Sequence, residues 1–119
     1  NAFGNEGVFP LGVASGDPLT NQVIIWTKVE SNLPEITVKY QVSEDLNFNK
    51  IIDENEIRTN AEKDYTVKVD IQNLRPGKTY YYRFFHNNNF SETGRTKTLP
   101  LTGILTVMII LLKITLKVF

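Results

Sequence analysis

The chain contains no cysteine. Disulfide bridges, thiolate nucleophiles and sulfur ligands for metals are excluded together, although the compartment is not fixed by that absence. Histidine is nearly absent as well. His86 is the only one, beside Asn87, Asn88 and Asn89, and a lone loop imidazole is ordinarily solvated, so no metal or catalytic role is expected of it. Excess charge of either sign is missing: 13 Lys and Arg balance 13 Asp and Glu. With no block of like charge, neither nucleic acid nor an anionic membrane is expected as a partner. The opening Asn1-Ala2-Phe3-Gly4 has no methionine and no basic stretch leading into an apolar one. It is expected to be a processed terminus or the edge of a fragment. At 119 residues the chain suits one domain with a core able to stand alone.

What is present is alternation. Ile36, Val38, Tyr40 and Val42 recur at every second position, as do Tyr65, Val67, Val69 and Ile71. Polar residues lie between them, which predicts half-buried strands with one wet face. Gln22 to Val29 is β-branched and aromatic and apolar on both sides at its centre, as in a strand well inside a sheet. Trp26 is expected to fill the space between two sheets. Val8 to Ala14 reads as a short edge strand, because Pro10 cannot donate to a central ladder. Ser15-Gly16-Asp17-Pro18 reads as a turn, and Lys50 to Ile57 as a further short strand.

The stretch Asn73-Leu74-Arg75-Pro76-Gly77-Lys78-Thr79-Tyr80-Tyr81-Tyr82-Arg83-Phe84 is the most informative. Pro76 presets one backbone angle of a turn and Gly77 accepts a positive one. Tyr80, six residues after Leu74, stands where a tyrosine corner returns its hydroxyl to the backbone near the turn. Tyr80 and Tyr82 face one way and Tyr81 the other. Asn87-Asn88-Asn89 makes a hairpin loop, and Phe90 to Leu99 returns. The fold class is therefore all-β: an antiparallel fibronectin type III or immunoglobulin-like sandwich of about seven strands. Trp26, Leu74, Pro76, Gly77 and Tyr80 are its structural key residues.

Candidate chemistry is sparse. Asp53, Glu54 and Glu56 form the densest acidic cluster, yet strand alternation keeps such carboxylates from converging, and a solvated edge is expected. Ser15-Gly16-Asp17 lacks the Gly-x-Ser-x-Gly elbow and has no histidine nearby in sequence. Arg83 and Arg95 are cations suited to phosphate, although strand-surface arginines usually meet carboxylates or water. Asn89-Phe90-Ser91 fits a glycosylation sequon, a pattern common by chance. No catalytic, cofactor-binding or metal-binding residue is therefore assigned in this chain.

Residues 101–119 depart in style. The run from Leu101 to Phe119 has no acidic residue and is dense in aliphatics, with Lys113 and Lys117 interrupting it. A membrane span needs about 20 apolar residues, so the segment is expected to be a buried strand, or a strand without its partner. Exposed, it would favour aggregation.

Several stretches together resemble one family. Phe9-Pro10-Leu11-Gly12-Val13-Ala14-Ser15-Gly16-Asp17-Pro18 precedes Val23-Ile24-Ile25-Trp26-Thr27. Asp64 to Asp70 follows, then Leu74 to Phe84, then Gly94-Arg95-Thr96-Lys97-Thr98-Leu99-Pro100. In that order and spacing they resemble the N-terminal domain of the PhoD-like, or D-type, alkaline phosphatases and phosphodiesterases, over nearly all of residues 8–100.

The resemblance implies a small sandwich, residues 1–100, in front of a metallophosphoesterase domain that binds iron and calcium. It also implies export to the periplasm or exterior, often by the twin-arginine route. The family's metal ligands lie after the sandwich, and no position here matches them. Where they should begin, Thr106 to Leu112 lacks the expected Cys, Asp and His. Residues 101–119 are accordingly read as an aberrant or truncated start of the catalytic domain. The chain alone is expected to be inactive, with the catalytic domain of its parent as partner. The alternative is a free-standing fibronectin-like binding module, tethered to a membrane by its tail.

Overall fold

In the computed structural model, residues 8–118 are described, so the opening residues Asn1–Gly4 lie outside the description. Eight strands are present among them: β1 (Val13–Gly16), β2 (Val23–Lys28), β3 (Glu35–Ser43), β4 (Ile51–Asn60), β5 (Thr66–Ile71), β6 (Thr79–His86), β7 (Asn89–Phe90) and β8 (Gly94–Lys97). A helix, Leu101–Val118, follows them. The strands form two antiparallel sheets. One runs β1-β2-β5; the other runs β4-β3-β6, with β7 and β8 both paired to β6. That is the two-layer sandwich expected from the alternation.

The core is what the alternation places between the layers. Val23 and Ile25 from β2, and Val67, Val69 and Ile71 from β5, meet Ile36, Val38, Tyr40 and Val42 from β3 and Tyr80, Tyr82 and Phe84 from β6. Burying each of the larger side chains contributes roughly 1.5–3 kcal/mol. Leu74 is 5 % exposed and joins this cluster from the turn before β6.

Trp26 is not among them. In β2 the buried positions are Val23, Ile25 and Thr27, and Trp26 lies on the alternate, outer face with Ile24 and Lys28. Its register partners there are Ala14 and Lys68. The expectation that Trp26 fills the inter-sheet space is thus corrected. A strand apolar on both sides does not reveal which set faces inward, and the Val-Ile-Thr set won.

Other boundaries differ for local reasons. The first strand begins at Val13 and not at Val8, because Gly12 adopts φ +72° and donates its amide to the Phe9 carbonyl at 3.2 Å. Pro10 thus sits in a turn, and Phe9, 4 % exposed, plugs the core. Ser15 and Gly16 complete β1, Asp17 follows with φ +49°, and the bend falls at Thr20 and Asn21. β4 is ten residues long, longer than read, because it pairs with β3 from Glu35↔Asn60 to Val42↔Asp53. Only Thr59 is buried in it, so its sequence carries no period. β5 starts at Thr66, since Asp64 and Tyr65 both have φ +54°. The return strand is split: Ser91 accepts the Phe84 amide on its hydroxyl at 2.9 Å and donates to the Glu92 carbonyl at 2.8 Å, which separates β7 from β8.

The tail is helical, which overturns the strand expectation. Without a neighbouring strand, a helix satisfies the backbone groups within its own segment. Leucine and methionine oppose this little. Val107 to Leu112 and Ile114 are 51–61 % exposed. Among the described residues, no helix is long and apolar enough to cross a membrane.

Two substitutions test this packing. A Cβ on Gly94 would lie 2.6 Å from the Tyr82 hydroxyl oxygen and closer still to the ring. Tyr82 is 2 % exposed, so Gly94→Ala is expected to cost about 1–3 kcal/mol by overpacking, read as a lower thermal midpoint. Tyr80→Phe removes the acceptor that the Arg75 amide meets at 2.8 Å. It is expected to cost about 1–3 kcal/mol, seen in urea as a lower midpoint with an unchanged slope; an unaltered midpoint would refute the structural role of that hydroxyl.

Candidate functional site

The end of the sandwich around the Pro76-Gly77 turn is tied together by backbone and hydroxyl hydrogen bonds. Gly77 has φ +60°, which costs glycine no steric strain, and its amide donates to the Leu99 carbonyl at 3.0 Å. The buried Thr98 hydroxyl donates to the Arg75 carbonyl at 2.6 Å and accepts the Lys78 amide at 3.0 Å. Lys78 Nζ reaches Glu44 Oε1 at 2.7 Å and holds that carboxyl below its usual range. Asp53 Oδ1 accepts from the Tyr40 hydroxyl at 3.3 Å; burial, and then the Asp53 charge, raise that phenol. A groove lined by Glu44, Ile52, Asp53, Gln72, Asn73, Arg75 and Tyr80 opens here. The Glu44 and Asp53 carboxylates, the Gln72 amide and the Tyr80 hydroxyl each have a partner within the chain, so most of the groove's polar groups hold the corner together.

The acidic cluster does not converge. Asp53 stands opposite Val42 and Glu54 opposite Gln41, so adjacent carboxylates point to opposite faces. Glu56 is opposite Lys39, on the Glu54 side. Among the described residues, no group of three or more His, Cys, Asp or Glu side chains is placed to hold a metal ion. Asp45 is occupied with its own loop. Its carboxylate accepts the Lys50 and Asn49 amides and the Ser43 hydroxyl, and those bonds, the Lys50 amide first, keep it below the usual range.

His86 and Ser15 belong to different sheets, on β6 and β1. His86 Nδ1 is 2.9 Å from the Thr37 carbonyl, and Asn87 Nδ2 is 3.3 Å from its Nε2. Asp17 lines a groove with Pro18, Leu19, Gln22, Ile24 and Asp70. Ser15 and His86 are therefore not paired. Ser91, of the sequon Asn89-Phe90-Ser91, is 7 % exposed and spent on backbone bonds.

Arg83 is committed too. Its guanidinium lies 4.0 Å from the Phe48 ring centroid and 4.6 Å from that of Phe90, and Nε donates to Gln41 Oε1 at 2.8 Å. Gln41 in turn donates to the Glu54 carboxylate. Phe85 and Phe90 stack at 4.9 Å. This aromatic clamp was not legible beforehand: Phe48 lies in a loop at φ +57°, and nothing local announces that it folds over a distant strand. Arg95 is exposed on β8. Tyr81 is half-buried on the outer side of β6 while Tyr80 and Tyr82 are buried.

Against known proteins, residues 2–100 match the family model described as the PhoD-like phosphatase N-terminal domain. The chain is 38 % identical over 113 residues to alkaline phosphatase D of Bacillus subtilis (strain 168), an alignment that covers 87 % of this chain and 19 % of that protein. It thus spans about a fifth of that relative's length. A solved structure of PhoD superposes with a TM-score of 0.75 at 37 % identity, covering 79 % of this chain and 20 % of the other. The sensor domain of the anti-sigma factor RsgI4 of Pseudobacteroides cellulosolvens gives a TM-score of 0.56 at 19 % identity, covering 76 % of this chain and 93 % of the other. That likeness speaks to the sandwich fold alone. With the family model covering most of its length, the chain belongs to the PhoD-like phosphatase N-terminal domain family.

Proposed function

We propose that this chain is the non-catalytic front domain of a metal-dependent alkaline phosphatase or phosphodiesterase, and that its work is to pack against the metallophosphoesterase domain of the same parent protein. The observation that carries this is a pairing: membership of an N-terminal domain family, aligned to 19 % of the Bacillus relative, and described carboxylates that do not gather into a metal site. In such a parent, phosphate-ester hydrolysis belongs to the other domain. Iron and calcium are the metals the family resemblance implies there. The donor set in this chain does not fit them: its described carboxylates are dispersed along strands and its one imidazole is isolated. No step of hydrolysis is therefore written through its residues. Export to the periplasm or exterior accords with the same resemblance.

The domain division goes with this reading: residues 1–100 are the sandwich, and residues 101–119 are an aberrant start of what should be the catalytic domain. The family match ending at residue 100 supports it, as does the exposure of Val107 to Leu112 on a helix without acidic residues.

Two measurements test the proposal. The isolated chain, supplied with iron and calcium, is expected to hydrolyse p-nitrophenyl phosphate no faster than buffer. Metal-dependent turnover that survives rigorous purification would overturn the non-catalytic assignment. Deleting residues 101–119 is expected to leave the urea midpoint of the sandwich unchanged and to reduce self-association in sedimentation; a large loss of stability would mean that the tail is an integral part of the domain.

A further inference from the structure

The two outer faces of the sandwich are finished differently. On the five-stranded side, the aromatic surface is covered from within the chain, although Ile51 and Ile52 at the start of β4 stay exposed. Phe48 is 7 % exposed, with the Arg83 guanidinium over its ring, and Phe85 is stacked on Phe90. On the three-stranded side, Ile24 and Trp26 project outward and remain half-buried. Their register neighbours on β1 are Gly16 and Ala14, which have little side chain to lay over them. A Cβ built on Gly16 meets nothing within 4 Å. On β5 the neighbours are Asp70 and Lys68, both exposed. The result is a small apolar centre with a charged border. That is the composition of a contact surface in which a large aromatic ring supplies much of the binding energy.

The chain leaves the sandwich at the end of this same face. The Leu99 amide donates to the Leu19 carbonyl at 3.0 Å, and Leu19 lines the outer groove with Asp17, Pro18 and Ile24. Leu19 is 46 % and Leu99 40 % exposed. They extend the apolar surface from Ile24 to the point where the family match ends, residue 100. In the Bacillus relative about four-fifths of the protein lies outside the aligned part. A domain tethered immediately after Leu99 is held next to this groove by its linkage, and a short tether gives a high effective concentration.

We propose that the catalytic domain docks on the outer face of the three-stranded sheet, with Trp26 at the centre of the contact and Leu19 and Leu99 at its tethered edge. This rests on the reading of the chain as a front domain that packs against its catalytic partner, and it names the face.

The test uses a full-length chimera in which residues 2–100 replace the N-terminal domain of the Bacillus alkaline phosphatase D. A photoreactive benzoylphenylalanine is placed in turn at Trp26 and at Lys39, an exposed outward position on β3 of the opposite sheet. The same pair of positions is taken by superposition in the unaltered Bacillus enzyme, so that a chimera that fails to fold does not remove the readout. After irradiation, cross-linked peptides are mapped by mass spectrometry. Peptides joining position 26 to the catalytic domain, with none from position 39, are expected. Cross-links from position 39 alone, or equally from both, would overturn the choice of face while leaving domain packing intact. Cross-links from neither position would overturn both the face and the packing on which it rests. A cross-linked dimer through position 26 would assign that surface to a second copy instead.

Discussion

Two hydroxyl groups hold the turn before β6 to the strand that ends the sandwich. The Tyr80 hydroxyl accepts the Arg75 amide, and the Thr98 hydroxyl bridges the Arg75 carbonyl and the Lys78 amide. Both side chains are 1 % exposed, so these bonds form away from competing water, where an unmade partner is expensive. Their importance lies in what they fix. β6 pairs with β3, β7 and β8. A slip of one residue would send Tyr80, Tyr82 and Phe84 outward and bring Arg83 into the core. The corner pins the register of the strand on which most of one sheet depends. Gly94 adds a steric stop, because the Tyr82 ring occupies the space a side chain would need there.

Where one face of a strand is wet, the sequence shows it. β3 as far as Val42, and β5, alternate between buried and less buried positions, and both are legible from their period. The turn at Pro76-Gly77 is equally clear, since its chemistry is local. Legibility fails where pairing, and not side-chain period, decides the structure. β4 has one buried residue in ten; it is a strand because β3 offers it a ladder. β1 begins late because a glycine three residues after Phe9 turns the chain first. The tail reads as a strand from aliphatic density alone, a signal shared by buried strands and helices. The period alone does not assign Trp26 a side, because β2 is apolar on both.

The same distinction governs the candidate site. That the carboxylates of β4 would not gather could be argued from alternation. That Arg83 would be clamped between Phe48 and Phe90 could not, for the contact joins a loop and two strands across 42 residues of chain. A guanidinium so placed gives its charge to aromatic faces and to the Gln41 and Glu54 pair, and it is no longer available to an incoming phosphate. Lys78 with Glu44 and Lys28 with Asp64 follow the same rule. The fold spends its conspicuous polar side chains on itself.

That internal commitment makes the surface asymmetry meaningful. Arg83 and Phe48 show that this chain has a means of covering aromatic surface on a sheet exterior: a long cation and a loop folded back. Among the described residues, no cation lies over the face of Trp26. The residues beside Trp26 and Ile24 on β1 are the smallest available, and Gly16 leaves its space open. The tryptophan lies outside the buried core cluster, half-buried beside alanine and glycine. The part of the ring still in water contributes only when another body covers it. The position of the chain exit beside Leu19 makes the rest of the same polypeptide the body best placed to do so.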